Sequence, residues 1–263
     1  MNPSNEDGVG GTQNPDLDPS REAGGLSSGQ IPGKAHDVAV DLFGNRYAVG
    51  SQQGSNGYTL YKWPANAPAW QKMNAQAIRV TARPKQAWIV NAKGQVFYEN
   101  GPVWRAVQAP PVKDIGAGRN EVWIVTQNDQ IYRYVPSDHM DYMRNGAEET
   151  HRTNDGVWIR VPGDAVRIDL DDSDLPWIVD KRGQLKYFKS GRWMAINGPK
   201  AVDVTAVHPK AVQFVDEKGA ASEYYLDTRT YRQVRSADQL IGIGGSNGQS
   251  LMVNKNLDIF VSR

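Results

Sequence analysis

The chain has 263 residues, a formal net charge of +1 and no cysteine. The near-neutral charge argues against a dedicated nucleic-acid-binding protein, and the absence of cysteine excludes disulfides and thiolate metal sites. Neither a signal peptide nor a membrane-spanning stretch is visible, so we expect a cytoplasmic protein without a membrane span, with unconventional secretion left open.

The first 27 residues differ in composition from the rest of the chain. They are rich in Gly, Ser, Asn, Pro and Asp and contain almost no large apolar side chain. Such a segment buries too little apolar surface to offset its ordering entropy, so we expect a disordered tail over 1–27. Five acidic residues and Arg21 give residues 1–30 a net charge of −4, which leaves +5 for the remainder. An acidic tail is therefore expected to precede one mildly basic domain over 28–263.

A short phrase recurs six times: a small or apolar residue, any residue, Asp or Arg, then Val or Ile opening a strand. The copies, which define units one to six, are Ala35-His36-Asp37-Val38, Ala77-Ile78-Arg79-Val80, Val112-Lys113-Asp114-Ile115, Ala165-Val166-Arg167-Ile168, Ala201-Val202-Asp203-Val204 and a degenerate Asp238-Gln239-Leu240-Ile241. The Val or Ile anchors are 42, 35, 53, 36 and 37 residues apart. Such a period is typical of four-stranded blades, so the repeats predict an all-β fold, a closed six-bladed β-propeller.

Unit two shows how each unit is built. We expect strands over 77–82, 86–91, 95–99 and 104–107, joined by short turns such as Asn91-Ala92-Lys93-Gly94. Seven of the eight tryptophans fall on the second or the closing strand of a unit, and only Trp63 does not. Because each such ring can bury a large apolar area, we interpret these seven as scaffold between neighbouring blades.

Unit six ends before its fourth strand. After the strand over 257–261 the chain stops at Arg263, whereas the segment 29–35 matches the pattern of 159–165. We therefore expect residues 28–31 to supply the outer strand of the sixth blade. Closure by this N-terminal strand would leave no exposed sheet edge in the ring.

The order small-x-Asp-Ile, Val-Trp-Ile-Val, polar turn, Ile-Tyr and closing Trp-x-x-Val resembles the tectonin repeat, most clearly in 77–107 and 165–196. The resemblance covers roughly residues 28–263 and implies a six-bladed propeller. It also implies a binding protein, either a lectin for O-methylated or bacterial-surface glycans or an intracellular binder of proteins or phosphoinositides. Units five and six depart from the pattern, because Gln213 and Leu251 replace the tryptophan of the second strand.

Candidate ligand-binding residues lie mainly in the turns between second and third strands, which a propeller presents on one face. Lysines and arginines there form a basic rim that attracts anions, and the amides and carboxylates suit sugar hydroxyls. Trp63 joins the set because it follows the long loop 50–57. The full set is Trp63, Asn91, Lys93, Asn128, Asp180, Lys181, Arg182, Lys218, Asn254 and Lys255. The alternative interpretation is that these are ordinary solvated turns.

The spacing of 53 residues reveals an insertion over about 136–156 in unit three. Its residues His139, Tyr142 and Arg144 are candidates for partner binding, although a tolerated loop is the alternative. The histidines there have no third ligand at a metal-site spacing, and the acidic run 169–174 lacks the glycine and distal glutamate of an EF-hand. We expect no metal, no cofactor and no enzymatic activity, since no catalytic constellation appears.

The chain is therefore expected to be a monomeric, non-catalytic binding protein. The first hypothesis is a lectin, because several near-equivalent units would give avidity for a glycan or glycoconjugate. The alternative is an intracellular protein-interaction scaffold or structural subunit of a larger assembly, favoured by the acidic tail and the degenerate units five and six. Binding of anionic lipid by the basic rim ranks third.

Overall fold

The computed structural model describes residues 29–84, 86–137, 150–153, 155–235 and 239–262. The elements assigned within these ranges are all β-strands, which confirms the all-β prediction. The described ranges contain no helix that is long and apolar enough to cross a membrane. The predicted disordered tail over 1–27 lies outside the described residues.

The strands follow the sequence units in order. They are β1 (Gln30–Val40), β2 (Arg46–Gly54), β3 (Gly57–Trp63) and β4 (Gln71–Ala77) in unit one; β5 (Arg79–Arg83), β6 (Gln86–Val90), β7 (Val96–Asn100) and β8 (Val103–Val107) in unit two; β9 (Val112–Ala117), β10 (Val122–Thr126), β11 (Gln130–Pro136), β12 (Thr150–Arg152) and β13 (Gly156–Asp164) in unit three; β14 (Arg167–Leu170), β15 (Pro176–Val179), β16 (Leu185–Lys189) and β17 (Arg192–Ala195) in unit four; β18 (Ala201–His208), β19 (Ala211–Asp216), β20 (Ala221–Tyr225) and β21 (Thr230–Arg235) in unit five; β22 (Leu240–Ser246), β23 (Gln249–Asn254) and β24 (Asp258–Val261) in unit six.

Strand β1 is shared between two units. Its first residues pair with β24, where Ile31 lies opposite Ile259, and Ala35–Val40 pair with β2. The strands consequently form five hydrogen-bonded sheets rather than six separate ones. Their orders are β22-β23-β24-β1-β2-β3-β4, β12-β13-β11-β10-β9, β14-β15-β16-β17, β18-β19-β20-β21 and β5-β6-β7-β8.

The first strands of the units lie around a common axis. β1 contacts β5, β5 contacts β9, β9 contacts β14, β14 contacts β18, β18 contacts β22, and β22 contacts β1 again. This circuit of inner strands, with the closing strands outside, is a β-propeller arrangement.

The apolar core lies between neighbouring sheets. One cluster joins Trp88 and Val107 of unit two to Ile115 and Trp158 of unit three. Trp158 and Trp177 are both 0% exposed. The large rings of the second and closing strands therefore fill the space between units. This agrees with the prediction that most of the tryptophans are scaffold residues.

The Asp of the repeated phrase fastens each odd unit to the next unit. The carboxylates of Asp37, Asp114 and Asp203 accept hydrogen bonds from the backbone N–H groups of Val80 (2.7 Å), Ile168 (2.7 Å) and Ile243 (2.9 Å). The arginines of even units lie between these carboxylates: Arg79 is 3.4 Å from Asp37 and 3.3 Å from Asp114, and Arg167 is 3.3 Å from Asp203. Pairing of this kind offsets the desolvation of buried charges.

Two details of the repeat register differ from the sequence prediction. In unit six, Leu240 and Gly242 take the places that Ala35 and Asp37 occupy in unit one, so the buried anchor is Ile243 (4% exposed) rather than Ile241 (38%). In unit three, part of the predicted insertion is β12, which pairs with β13 as a fifth, outermost strand.

Candidate functional site

The closing strand of most units carries an aromatic side chain that bonds to the backbone of the preceding unit. Trp70 Nε1 donates to the Pro32 carbonyl (2.8 Å), Trp158 Nε1 to that of Gln108 (3.0 Å), Trp193 Nε1 to that of Pro162 (2.7 Å), and the Tyr231 hydroxyl to that of Asn197. These bonds satisfy the polar atom of each ring and close the outer groove between two units.

Trp104, on β8 of unit two, departs from this arrangement. Within the described part of the chain its Nε1–H has no hydrogen-bond acceptor, and the ring is half-buried. Like Met73, Ala75 and Phe97, it packs against the buried apolar cluster that includes Val80 and Ile89. The junction between units one and two is therefore left open where the comparable junctions are closed.

A cleft of about 460 Å³ lies at this open junction. This volume is within the usual range of small-ligand sites, roughly 300–1,000 Å³. Phe97 and Trp104 provide aromatic surface on the side of unit two, and Met73 adds a thioether on the side of unit one. The remaining lining residues are Ser55, Asn56, Thr59, Lys72, Asn74, Ala75, Gln76, Ile89 and Asn91. We call this set the Trp104 cleft.

The backbone of unit one shapes the cleft in two places. The pairing of β3 with β4 shifts register between Thr59 and Tyr61, and the residues of β4 at this irregularity, Met73 to Ala75, line the cleft. Such bulges bend a strand and redirect its side chains. The hairpin between β2 and β3 forms a further wall, since the Asn56 N–H donates to Gln76 Oε1 (2.8 Å) and the Asn56 carbonyl accepts from Ala92 N (2.8 Å).

Most sequence-predicted residues lie in the turns after the second strands. Asn91, Asp180 and Asn254 each use a side-chain oxygen to accept two backbone N–H groups of their own turn at 2.8–3.0 Å. This local pairing is the usual role of Asn and Asp at tight turns. Of these turn residues only Asn91 lines the Trp104 cleft.

The residues of the predicted basic rim are exposed and lie in four separate turns, with two of them adjacent in one turn. They are Lys93, Lys181, Arg182, Lys218 and Lys255. Lys181 forms an ion pair with Asp129 (2.8 Å), which raises the pKa of Lys181. Asn128 is exposed in the turn between β10 and β11. The structure brings none of these residues together in a pocket that it describes.

The other predicted residues lie elsewhere. Trp63 ends β3 and so lies on the face of the propeller opposite the turns that join second and third strands. Its Nε1–H donates to the Ala67 carbonyl (2.8 Å). The insertion residues His139, Tyr142 and Arg144 lie outside the described residues, so their role stays a prediction.

The acidic run of unit four is divided among separate structural roles. Asp169 is half-buried and accepts hydrogen bonds from Ala206 N (3.0 Å) and Thr205 Oγ1 (2.8 Å), and desolvation of its carboxylate raises its pKa to about 8. Asp171 accepts the Ser173 and Leu175 N–H groups, and Asp174 accepts from Asn120. In the part of the chain that the structure describes, no group of three His, Asp or Glu side chains is placed to hold a metal ion.

Sequence reasoning missed the Trp104 cleft, because Trp104 occupies a scaffold position of the repeat. One signal was available in the segments that precede the repeated phrase. Pro32, Pro110, Pro162 and Pro199 occur there in units one, three, four and five, whereas 71–76 has no proline. The segment that precedes the phrase of unit six has no proline either. The last strand of that unit is, however, the start of β1, which carries no aromatic side chain that could use the junction.

Comparison with known proteins agrees with the fold and with the repeat type. The architecture is that of a β-propeller: it is similar to a chain in the crystal structure of Kap60 bound to yeast RCC1 (Prp20), at 8% identity, 88% coverage of this chain, 69% of that chain and a TM-score of 0.57. It is also similar to YCF48 bound to D1 peptide (13% identity, 88% and 78% coverage, TM-score 0.53). A third similar chain belongs to the mitotic checkpoint complex (8% identity, 90% and 92% coverage, TM-score 0.58).

Residues 74–142 match the family model described as Tectonin domain. This match confirms, for that segment, the resemblance carried by the repeated phrases, and the segment includes Trp104. A search of curated proteins found no match.

Proposed function

We propose that this protein is a non-catalytic lectin that binds a glycan in the Trp104 cleft. The observation that carries the proposal is the open junction between units one and two, where Trp104 has a free indole N–H beside the described cleft. The match to the tectonin family model supports a binding function, and the geometry supplies the candidate site.

The chemistry of the cleft suits a sugar ring. Aromatic faces pack against the C–H surfaces of sugars, and amides and hydroxyls pair with sugar hydroxyl groups. Trp104 and Phe97 supply the aromatic surface, while Asn74 and Ser55 are exposed polar residues on the wall formed by unit one. The indole N–H of Trp104 adds one donor whose acceptor would come from the ligand.

The cleft favours an uncharged glycan with apolar substituents. Lys72 is the one charged residue in its lining, and it is exposed at the edge. Met73, Ala75 and Phe97 are apolar residues that line the cleft together with Trp104. Methyl groups on a sugar would bury their surface there, so we place methylated sugars first among the ligands to be tested.

We further infer that the ring consists of six blades of four strands each, with β12 as an additional strand of the third blade and β1 belonging to both the first and the last. The two separate pairings of β1 and the circuit of six inner strands support this count. In that interpretation the N-terminal strand closes the propeller.

A second candidate function is a protein-interaction scaffold in the cytoplasm. It is favoured by the fold neighbours that are seen with protein or peptide partners and by the exposed lysines and arginines on the face of the turns after the second strands. In this case the ligand of that face would be an acidic protein segment.

The test is a glycan array probed with the full-length protein, including methylated and bacterial-surface sugars. Trp104→Ala is expected to abolish binding that free sugar competes, whereas Asn128→Ala, in an exposed turn away from the cleft, should leave it unchanged. Asn74→Ala should weaken binding without removing any core contact.

Thermal melting of each variant separates loss of the site from loss of the fold. If no glycan binds at high protein concentration, the lectin proposal fails and the scaffold function takes its place. Loss of sugar binding in Asn128→Ala but not in Trp104→Ala would move the site to the turn face.

A further inference from the structure

A second, smaller cleft lies on the face opposite the Trp104 cleft. It has a volume of about 180 Å³ and is formed where units six and one meet. Its lining consists of Phe43, Gly44, Arg46, Trp63, Pro64, Ala65 and Gln249. We call this set the Arg46 cleft.

Arg46 is the chemically distinctive residue of this cleft. Its guanidinium carbon lies 5.6 Å from the centre of the Trp63 ring. Among the residues that the structure describes, no carboxylate, carbonyl or hydroxyl oxygen pairs with this guanidinium. Burial alone lowers the pKa of Arg46, because no acidic group opposes that effect.

Most other arginines and lysines at comparable depth in this protein have acidic partners. Arg79 pairs with Asp114 and Arg167 with Asp203. Lys62 pairs with Glu99. The carboxylate of Asp41, in the turn that precedes Arg46, accepts from Phe43 N (2.8 Å), Asn45 N (2.9 Å) and Asn45 Nδ2 (2.7 Å) instead. A half-buried cation without an acidic partner costs desolvation energy that a bound anion would recover.

The walls of the Arg46 cleft are held in place by hydrogen bonds. Asn45 Oδ1 accepts from the Ala65 N–H (3.1 Å), which fastens the β3–β4 loop to the β1–β2 turn. Asn247 Nδ2 donates to the Leu42 carbonyl (3.3 Å), which brings unit six against unit one. The site is thus formed before a ligand arrives, which reduces the entropic cost of binding.

We propose that the Arg46 cleft binds the carboxylate of a polypeptide C-terminus that ends in an apolar residue. The planar fork of a guanidinium pairs with a carboxylate through two parallel hydrogen bonds. Trp63, Pro64 and Ala65 offer an apolar wall for the terminal side chain, and Phe43, at 53% exposed, offers apolar surface beside the opening.

The lining favours this ligand over an acidic sugar. Gln249 is the one polar side chain besides Arg46, so a sugar's several hydroxyl groups would find few partners. The volume accommodates one terminal residue rather than a sugar chain. Arginine and large aromatic residues are also the types that dominate protein–protein binding energies. This inference is independent of glycan binding on the other face.

The test uses fluorescently labelled heptapeptide pools that end in Leu, Val or Phe, with either free or amidated C-termini. Anisotropy titrations with the full-length protein should show binding of the free-carboxylate pool and roughly 10-fold to 100-fold weaker binding of the amidated pool. Arg46→Gln should reduce binding of the free-carboxylate pool by a similar factor. Arg192→Gln, which removes an exposed arginine of unit four, is the matched control and should bind as the unmodified protein does.

Arg46→Lys keeps the positive charge but loses the planar guanidinium, so this variant should bind the free-carboxylate pool with intermediate affinity. It also provides a second test if Arg46→Gln misfolds. Equal affinity for free and amidated pools would overturn the proposal, as would equal binding by Arg46→Gln and Arg192→Gln. Preferential binding of glucuronate, tested as a competitor, would also overturn it, because the anion site would then belong to a sugar.

Discussion

Trp104 and Trp158 occupy the same position of the sequence repeat but differ in their surroundings. Trp158 is fully buried and donates to the Gln108 carbonyl, whereas the indole N–H of Trp104 has no acceptor in the described chain. Phenylalanine keeps most of the ring and removes the donor. We therefore expect Trp158→Phe to lower the free energy of unfolding by about 1 kcal/mol, because the Gln108 carbonyl loses its hydrogen-bond donor.

Trp104→Phe is the matched control for that measurement and should change stability by less than about 0.5 kcal/mol. Urea titrations of the two variants give the comparison. An equal decrease in the free energy of unfolding in both variants would show that the indole N–H of Trp104 also has a hydrogen-bond acceptor, as that of Trp158 does.

Asp169 is expected to make stability depend on pH. Its pKa is raised to about 8 in the folded protein by burial, against a reference value of 3.8. Between these values the folded state holds a proton that the unfolded state has released, so the contribution of Asp169 to stability falls as pH rises from about 4 to about 8. Burial likewise raises the pKa of Asp37, to about 7, although Arg79 opposes this.

Asp169→Asn tests this directly, because the amide oxygen still accepts from Ala206 and Thr205 but cannot ionise. The melting temperature of the variant relative to the unmodified protein should be higher at pH 8 than at pH 5. Asp227→Asn changes an exposed carboxylate paired with Lys210 and serves as control. If the difference in melting temperature between Asp169→Asn and the unmodified protein is the same at both pH values, Asp169 does not titrate in this range.

Among the structural elements, the turns between second and third strands are the easiest to predict from sequence, but they say little about function. The sequence predicts Asn91, Asp180 and Asn254 as ligand residues, because amides and carboxylates suit sugars. In the structure the same oxygens hold the turns together. Local sequence cannot separate the two roles, because a ligand site and a tight turn both use Asn or Asp shortly before glycine or asparagine.

Strand β1 provides the element whose removal should matter most. Deleting residues 1–33 removes Gln30 and Ile31, two of the three β1 residues that pair with β24, and the Pro32 carbonyl that accepts from Trp70. Deleting residues 1–20 leaves both. We expect the first truncation to lower the melting temperature far more than the second, and equal melting temperatures would refute closure of the ring by this strand.

At the scale of the whole molecule, repeated apolar and charged positions were enough to predict the propeller. The period brings each Asp of an odd unit next to the first strand of the following unit, so Asp37 and Asp114 are explained by the repeat itself. Unit six was misaligned by two residues, because glycine replaced the charged residue and left Ile241 and Ile243 as competing anchors. The two clefts were not predictable, since each depends on how neighbouring units meet.

The central claim is that the ring of Trp104 is the surface on which a glycan binds. The most direct measurement is a titration of the eight indole N–H signals by ¹H–¹⁵N NMR, using the best sugar from the array, with Trp104→Phe to assign its signal. We expect the Trp104 signal to shift most, because its N–H gains an acceptor, while the signals of Trp158 and Trp193 stay in place. An unshifted Trp104 signal at saturating sugar, or a larger shift at Trp63, would show that the glycan does not bind at Trp104.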